Sequence, residues 1–264
     1  MKVTVVIPVY NRAGMVVRAV ESVLAQRRKA DQIIVVDDGS TDDTPKALAH
    51  FSDRIELVRQ PNRGVSAARN RGIALARNRW IAFLDSDDVW HPQKLAQQIA
   101  FHEAHPDLHW SHTLEMWVRN GGEVSQKRHH AKPQGEVFYE SLPFCKIAPS
   151  TVMIDHEVFE RCGVFDETLP VCEDYDLWLR IAKRYPVGLV HEVLTTKYAG
   201  HPQLSFSAHI LDRYRVEALL KHLPDPLVHE EIVRKLTLLR TGAQKRDNRE
   251  ILSFCTLIET QLLH

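Results

Sequence analysis

Acidic residues gather at three places in this chain, and a histidine follows the last of them. The groups are Asp37-Asp38-Gly39-Ser40, Asp85-Ser86-Asp87-Asp88 and Glu173-Asp174, with His201 beyond. Carboxylates held close together repel one another unless a cation neutralises them. An all-oxygen donor set favours a hard ion, Mg²⁺ or Mn²⁺, and such ions also take up phosphate oxygens. Aspartate is equally at home in turns and helix caps. Glu173 and Asp174 in particular suit the first turn of a helix carrying Leu177, Trp178, Ile181 and Ala182, where the dipole favours acids. His201 is one of 15 histidines, and an imidazole there would suit Mn²⁺ better than Mg²⁺. The pair His129-His130 reads as a solvated loop.

What lifts the first two groups above ordinary turns is their placement. Residues 3–8 are apolar and largely β-branched, as in a strand buried on both faces. Val16, Ala19, Val20, Val23 and Leu24 follow at helical spacing. A second strand over 32–36 runs into Asp37, and Thr44-Pro45 opens a helix to about residue 51. A third strand over 55–58, a helix over 65–76, a fourth strand over 80–84 and a helix over 92–105 complete the pattern. Four alternations with short loops predict a mostly parallel, open α/β sheet flanked by helices, a Rossmann-like half. Ligands of such sheets sit beyond the carboxyl ends of the strands. Those ends are Pro8-Val9-Tyr10-Asn11, Asp37-Asp38 and Asp85-Ser86-Asp87-Asp88, so two acidic groups share one rim.

Beyond Pro106 the regularity ends. Residues 109–119 read as a strand, Gly121-Gly122 as a turn, and 125–135 as a polar loop. A strand over 150–154, helices over 156–162 and 173–185, and a strand over 194–198 follow. From about 206 the pattern is helical, with stripes at Val216, Leu219, Leu220 and Leu223 and at Ile251, Phe254, Cys255, Ile258 and Leu262. The expected division is 1–205, made of a nucleotide-binding half 1–105 and an acceptor half 106–205, then a helical extension 206–264.

Bulk properties narrow the classes. With 34 Lys plus Arg against 34 Asp plus Glu there is no basic surplus for nucleic acid. The four cysteines lack CxxC spacing and give neither a zinc signature nor a disulfide framework, so a reducing cytoplasm is expected. No stretch reads as a signal peptide or membrane helix; peripheral association with the inner face of a membrane stays open. Two other folds fail on a single residue. A phosphate-accepting receiver needs Asp after the third strand, where Arg59 stands, and a haloacid-dehalogenase phosphatase needs a DxD after the first, where Pro8-Val9-Tyr10 stands.

Five segments in order resemble family-2 glycosyltransferases of the GT-A fold: residues 6–12, 36–42, 62–72, 84–88 and 173–178. The likeness covers roughly residues 3–205. It implies an inverting, metal-dependent transferase that moves a sugar from a nucleoside diphosphate sugar, with uridine favoured as the base, to a hydroxyl of a saccharide or lipid-linked saccharide. Surface polysaccharide assembly is the setting it implies. By the same resemblance Pro8, Tyr10 and Asp38 line the base and ribose pocket, and Asn62, Gly64, Ala68, Arg69 and Asn70 approach the nucleotide. Asp85-Ser86-Asp87 matches the DxD, with Asp85 toward the ribose and Asp87 toward the metal and diphosphate; Asp88 is a spare carboxylate able to take either part. Asp174 would be the general base, with Glu173 the alternative, and His201 would reach the metal or the diphosphate. Mn²⁺ or Mg²⁺ is the implied cofactor. The competing readings are a nucleotidyltransferase, for which Asn11-Arg12-Ala13-Gly14 is a poor triphosphate loop, and a catalytically silent sugar-nucleotide-binding protein.

Overall fold

A computed structural model describes residues 1–124, 131–200 and 208–262. Its first half follows the expected alternation: β1 (Val3–Val9), α1 (Ala13–Leu24), β2 (Gln32–Asp37), α2 (Thr44–Ala49), β3 (Glu56–Arg59), α3 (Val65–Leu75) and β4 (Trp80–Phe83). β1 pairs in parallel with β2 and with β4, and β2 with β3. Every residue of β1 is buried. The period-two pleat shows in its packing: Val3, Val5, Ile7 and Val9 join the cluster that holds Val16, Ala19, Val20 and Val23 of α1, whereas Val6 faces the other cluster with Ile73 of α3.

The second half adds β5 (Val89–Trp90), α4 (Lys94–Ala104), β6 (Trp110–Arg119), β7 (Gly122–Val124), α5 (Phe138–Ser141), β8 (Met153–Asp155), α6 (His156–Cys162), α7 (Glu173–Ala182) and β9 (Gly188–Ala199). The sheet runs β3-β2-β1-β4-β8-β6-β9-β5, with β7 paired to β6. It is therefore mixed. β8 is antiparallel to both β4 and β6, β5 is antiparallel to β9, and β6 and β9 are parallel. The parallel character holds for the first four strands, which are linked by helical crossovers, and returns only in the β6–β9 pair.

Smaller differences have local causes. The expected strand over 150–154 opens with a 3-10 turn, Pro149–Thr151, because Pro149 donates no ladder bond. β9 begins at Gly188, six residues before its clearest apolar alternation, because Ser111, His112 and Thr113 of β6 pair with Gly188, Leu189 and Val190. β5 is two residues long and exists only through its pairing with Thr195 and Thr196.

Three helices follow, α8 (Ala208–Leu220), α9 (Pro226–Lys245) and α10 (Arg249–Leu262). Their stripes do not form a core of their own. Val216, Leu219, Ile251, Cys255 and Ile258 belong to the same buried cluster as Leu177, Trp178 and Ile181 of α7. Among the described residues no helix is long and apolar enough to cross a membrane.

Candidate active site

The carboxyl ends of β1, β2 and β4 open onto a cleft of about 1080 Å³. That is at or slightly above the upper end of single small-molecule sites. Pro8, Tyr10, Asp38, Asn62, Gly64, Arg69, Asp85, Asp87, Glu173 and Asp174 all line it. Of the other expected site residues, Ala68 lines it too, Asn70 and Asp88 do not, and His201 lies outside the described residues.

The rim is built from short local bonds. Asn11, with φ 50°, donates its backbone N–H to Ser40 Oγ at 2.9 Å and accepts from Thr41 N at 2.8 Å, tying the end of β1 to the loop after β2. Gly39 has φ +80°, and a Cβ there would stand 2.7 Å from Asn62 N, so only glycine lets the two loops approach. Asp38 is itself a clamp. Its Oδ1 accepts from Gln60 Nε2 at 2.8 Å and Arg63 N at 3.0 Å, and its Oδ2 from Gly64 N at 2.8 Å. Whatever it offers a ligand, this carboxylate first holds the loop that opens α3. Asn70 does not line the cleft; it bonds Phe165 and Glu167 and anchors the loop before α7.

Arg69 is the hub. It is 3% exposed and lies over the Phe165 ring at 5.1 Å. Its Nη2 donates to Asp85 Oδ1 and its Nη1 to Glu173 Oε1, each at 2.7 Å, so one guanidinium joins the β4 rim to the start of α7. Burial works against its charge, but the two carboxylates outweigh this and raise its pKa. The two acids answer differently. Burial works to raise Asp85, yet Arg69 and Lys197 outweigh it and hold the carboxyl below its ordinary range. Glu173 is raised instead, first by burial and then by the neighbouring charge of Asp174, with Arg69 only partly offsetting both.

Asp174 stands at the second position of α7, after Cys172, whose φ of 64° turns the chain sharply into the helix. Its Oδ1 accepts from Tyr175 N at 2.7 Å, and its Oδ2 accepts from Cys145 Sγ at 3.6 Å. Among the described residues no cation pairs with it in the salt-bridge geometry that holds Glu173. Burial raises its pKa above the ordinary 3.8, the direction that suits a proton acceptor working near neutrality.

Asp88 is 1% exposed and does not line the cleft. It accepts from Ser150 Oγ at 2.6 Å and pairs with Lys197 Nζ at 3.0 Å, while Ser150 Oγ accepts from Asp85 N at 3.0 Å. Its part is to fix the floor of the site. Its pKa is pushed up to about 7, first by burial and then by Asp85 and Asp87, with Lys197 opposing. Asp85 and Asp87 both line the cleft and offer only oxygen, so these residues fit a hard divalent cation. Among the described residues no group of three or more His, Cys, Asp or Glu is assembled to hold a metal. Asp85 and Asp87 would supply a partial shell, the remainder falling to diphosphate oxygens and water.

Other cleft residues escaped the sequence reading. Glu115 and Lys132 pair at 2.8 Å, Lys197 reaches in from β9, Cys145 Sγ stands 3.6 Å from Asp174 Oδ2, and Lys146 and Arg215 also line the cleft. They lie on strands and loops of the irregular half or, for Arg215, on α8, where no spacing marks a polar residue as inward-facing.

Comparison with known proteins agrees with this geometry. The family model for glycosyl transferase family 2 matches residues 4–167. An uncharacterized glycosyltransferase of Rickettsia felis is 37% identical over 196 residues, 74% of this chain and 32% of its own length. The chain thus spans about a third of that relative. The UDP-Glc:alpha-D-GlcNAc-diphosphoundecaprenol beta-1,3-glucosyltransferase WfaP of Escherichia coli is 33% identical over 203 residues, 75% of this chain and 77% of that one. Among solved structures, TarS 1-349 of S. aureus in complex with UDP-GlcNAc superposes with TM-score 0.71 at 20% identity, over 92% of this chain and 75% of that one. The mannosyltransferase PcManGT of Pyrobaculum calidifontis, in complex with GDP-Man and Mn2+, superposes with TM-score 0.64 at 18% identity, over 99% and 87%. The mixed, curled sheet with its acidic rim is thus the GT-A fold, and this chain belongs to glycosyl transferase family 2.

Proposed function

We propose that this chain transfers a sugar, with inversion, from a nucleoside diphosphate sugar to a hydroxyl of a saccharide or lipid-linked saccharide acceptor. The observation that carries the reading is the division of labour in the acidic pair opening α7. Glu173 is bound to Arg69 at 2.7 Å, which leaves Asp174 as the carboxylate beside it able to take a proton in the cleft. WfaP, by its name, uses UDP-Glc and a diphosphate-linked acceptor, and TarS was solved with UDP-GlcNAc; both support a uridine donor. The setting this favours is glycan assembly on lipid-linked intermediates at a membrane surface facing the cytoplasm.

In this mechanism Pro8, Tyr10 and Asn62 receive the base and ribose, while Asp38 holds the loop that closes over them. Arg69 keeps Asp85 ionised and aimed at the donor. Asp85 and Asp87 would hold Mn²⁺ or Mg²⁺, and such an ion, when bound, neutralises charge developing on the departing diphosphate. Asp174 accepts the proton of the acceptor hydroxyl as its oxygen bonds to the anomeric carbon and the bond to the diphosphate breaks. A single displacement inverts that carbon. His201, on the family likeness, would approach the same diphosphate.

The test is a donor screen with Mn²⁺ or Mg²⁺ present, following nucleotide release and sugar transfer by mass spectrometry. Asp174→Asn should keep donor affinity and lower transfer by about 10²–10⁴-fold, the usual share of a positioned base. Near wild-type transfer by that variant would remove Asp174 from the role and make Glu173 next to test. Nucleotide binding without any turnover across donors would favour a silent binding protein.

A further inference from the structure

Between α5 and β8 the chain forms neither helix nor strand over residues 142–148, yet its carbonyls are fastened one by one. Tyr175 Oη donates to Leu142 O, and Trp178 Nε1 donates to Ile147 O at 2.9 Å, so two side chains of α7 hold the segment. Lys235 Nζ donates to Pro143 O and Lys132 Nζ to Lys146 O, each at 2.7 Å. Cys145 lies between these ties, and its Sγ lines the cleft 3.3 Å from Ile147 O and 3.6 Å from Asp174 Oδ2. A thiol carries one proton, so this S–H has two alternative acceptors.

The two oxygens of Asp174 are not equivalent. Oδ1 accepts from Tyr175 N at 2.7 Å, whereas among the described residues Oδ2 accepts only from the thiol. A backbone N–H is the stronger donor, so Oδ2 keeps the greater affinity for a proton. Cys145 stays protonated beside it, because burial first, and then the charge of Asp174, push the thiol well above its ordinary range. The other charges near Asp174 come from several elements. Burial is the main influence against its ionisation; Arg69 of α3 favours the ionised form and Asp85, beyond β4, opposes it. Glu173 beside it is held by Arg69. Lys132 and Cys172 face the thiol, and from α8 Arg215 faces both cysteines while Asp212 faces Cys172. Among the described residues, only Cys145 donates a hydrogen bond to the Asp174 side chain from outside α7.

We propose that Cys145 is a positioning residue for the transfer step: its S–H holds Asp174 Oδ2 while that oxygen is ionised and turns to Ile147 O when the oxygen takes the acceptor's proton. The proposal rests on the reading of Asp174 as the base. The proton passes from the acceptor hydroxyl to Oδ2, the thiol keeps its own, and its S–H has a partner before and after. A weak donor suits the place, since a strong one would stabilise the carboxylate and make it a poorer base. Serine does not reproduce it, because the shorter C–O bond sets the hydroxyl back from both acceptors.

The experiment is the pH profile of transfer by the full chain, with kcat and KM measured separately for wild type, Cys145→Ala, Cys145→Ser and Asp174→Asn. Removing the thiol takes a bond from the ionised form of Asp174, so the rising limb of kcat should move to higher pH. A shift of roughly half a unit is expected in Cys145→Ala, the worth of a weak hydrogen bond, with Cys145→Ser shifted the same way and donor KM unchanged. A limb that stays in place or moves to lower pH overturns the proposal, as does a loss confined to KM. An infrared titration of the wild type reads the contact without turnover. The S–H stretch of Cys145, assigned by its absence in either Cys145 variant, should change frequency across the same pH range and stay constant in Asp174→Asn. A band indifferent to pH in the wild type overturns the proposal even if Cys145→Ala fails to fold. A limb lost in Asp174→Asn but unmoved in the Cys145 variants removes the positioning role alone. A limb that survives in Asp174→Asn removes the base and the positioning role together.

Discussion

Replacing Arg69 by methionine keeps the length of the side chain and removes its charge, and the structure sets what this must cost. Arg69 is 3% exposed and bonded at 2.7 Å to both Asp85 and Glu173. Breaking a buried ion pair from one side costs about 3–5 kcal/mol, because the abandoned charge stays buried. Here two acids are abandoned together, and Asp174 already pushes Glu173 upward. Loss of the contact with Phe165 adds about 0.5–1 kcal/mol. For a chain of this size each kcal/mol moves the melting temperature by about 2–4 °C, so a fall of roughly 7–24 °C is expected near neutral pH. The pH dependence carries the sharper test. In the wild type Asp85 sits below its ordinary 3.8, so its contribution is present above that value and is lost as pH falls through its folded pKa. Without Arg69, burial dominates and the folded pKa of Asp85 moves up, so protonation then favours the folded variant. The gap between the two proteins should narrow from about pH 7 to about pH 4. Urea melts of both proteins across that range measure it. A gap under about 1 kcal/mol at neutral pH, or one that stays constant with pH, would refute the hub.

Five further outcomes follow from the same geometry. Transfer activity should rise with pH along a limb lying above 3.8, set by the raised carboxyl of Asp174, and the limb should vanish in Asp174→Asn. Because an acid raised in the fold contributes stability below its folded pKa and loses it above, Asp174→Asn should also melt slightly higher at neutral pH; a lower melting temperature speaks against it. Nucleoside diphosphate affinity by calorimetry should drop when a chelator removes Mn²⁺ or Mg²⁺, and equal affinity in both conditions would count against Asp85 and Asp87 as ligands. Gly72→Ala puts a Cβ 2.3 Å from Val6 Cγ1 in the core, and overpacking of about 1–3 kcal/mol should exceed the helical gain of up to about 1 kcal/mol; an unchanged urea midpoint would show that Val6 can yield. Ending the chain at residue 205 should leave an insoluble product, since Leu177 and Trp178 would lose the cover of Val216, Leu219 and Ile258; a soluble, cooperatively melting fragment would give the tail a role outside the core.

The sequence alone determined the parts of this protein whose physics is local or periodic. The run over 3–8 can be buried on both faces only as a central strand, and β1 is buried throughout. Strand ends in an open parallel sheet share a rim, so Asp38, Asp85 and Asp87 were bound to meet, and they line one cleft. The five ordered segments carried the family, because each combines a strand or helix end with the residue types that approach a nucleotide. Only the tertiary structure decided which of the paired acids Arg69 holds. Nothing in Glu173-Asp174 says which carboxylate is held and which is open, because the deciding partner, Arg69, lies 104 positions away. Asp88 sits beside Asp87 in the chain yet turns inward to Ser150 and Lys197, since adjacent side chains leave a turn in different directions. Nothing in the spacing of α8 marks Arg215; packing of α8 against α7 put it in the cleft. Periodicity specifies which face of an element is apolar, whereas which polar atoms meet across the fold depends on contacts that spacing along the chain does not encode.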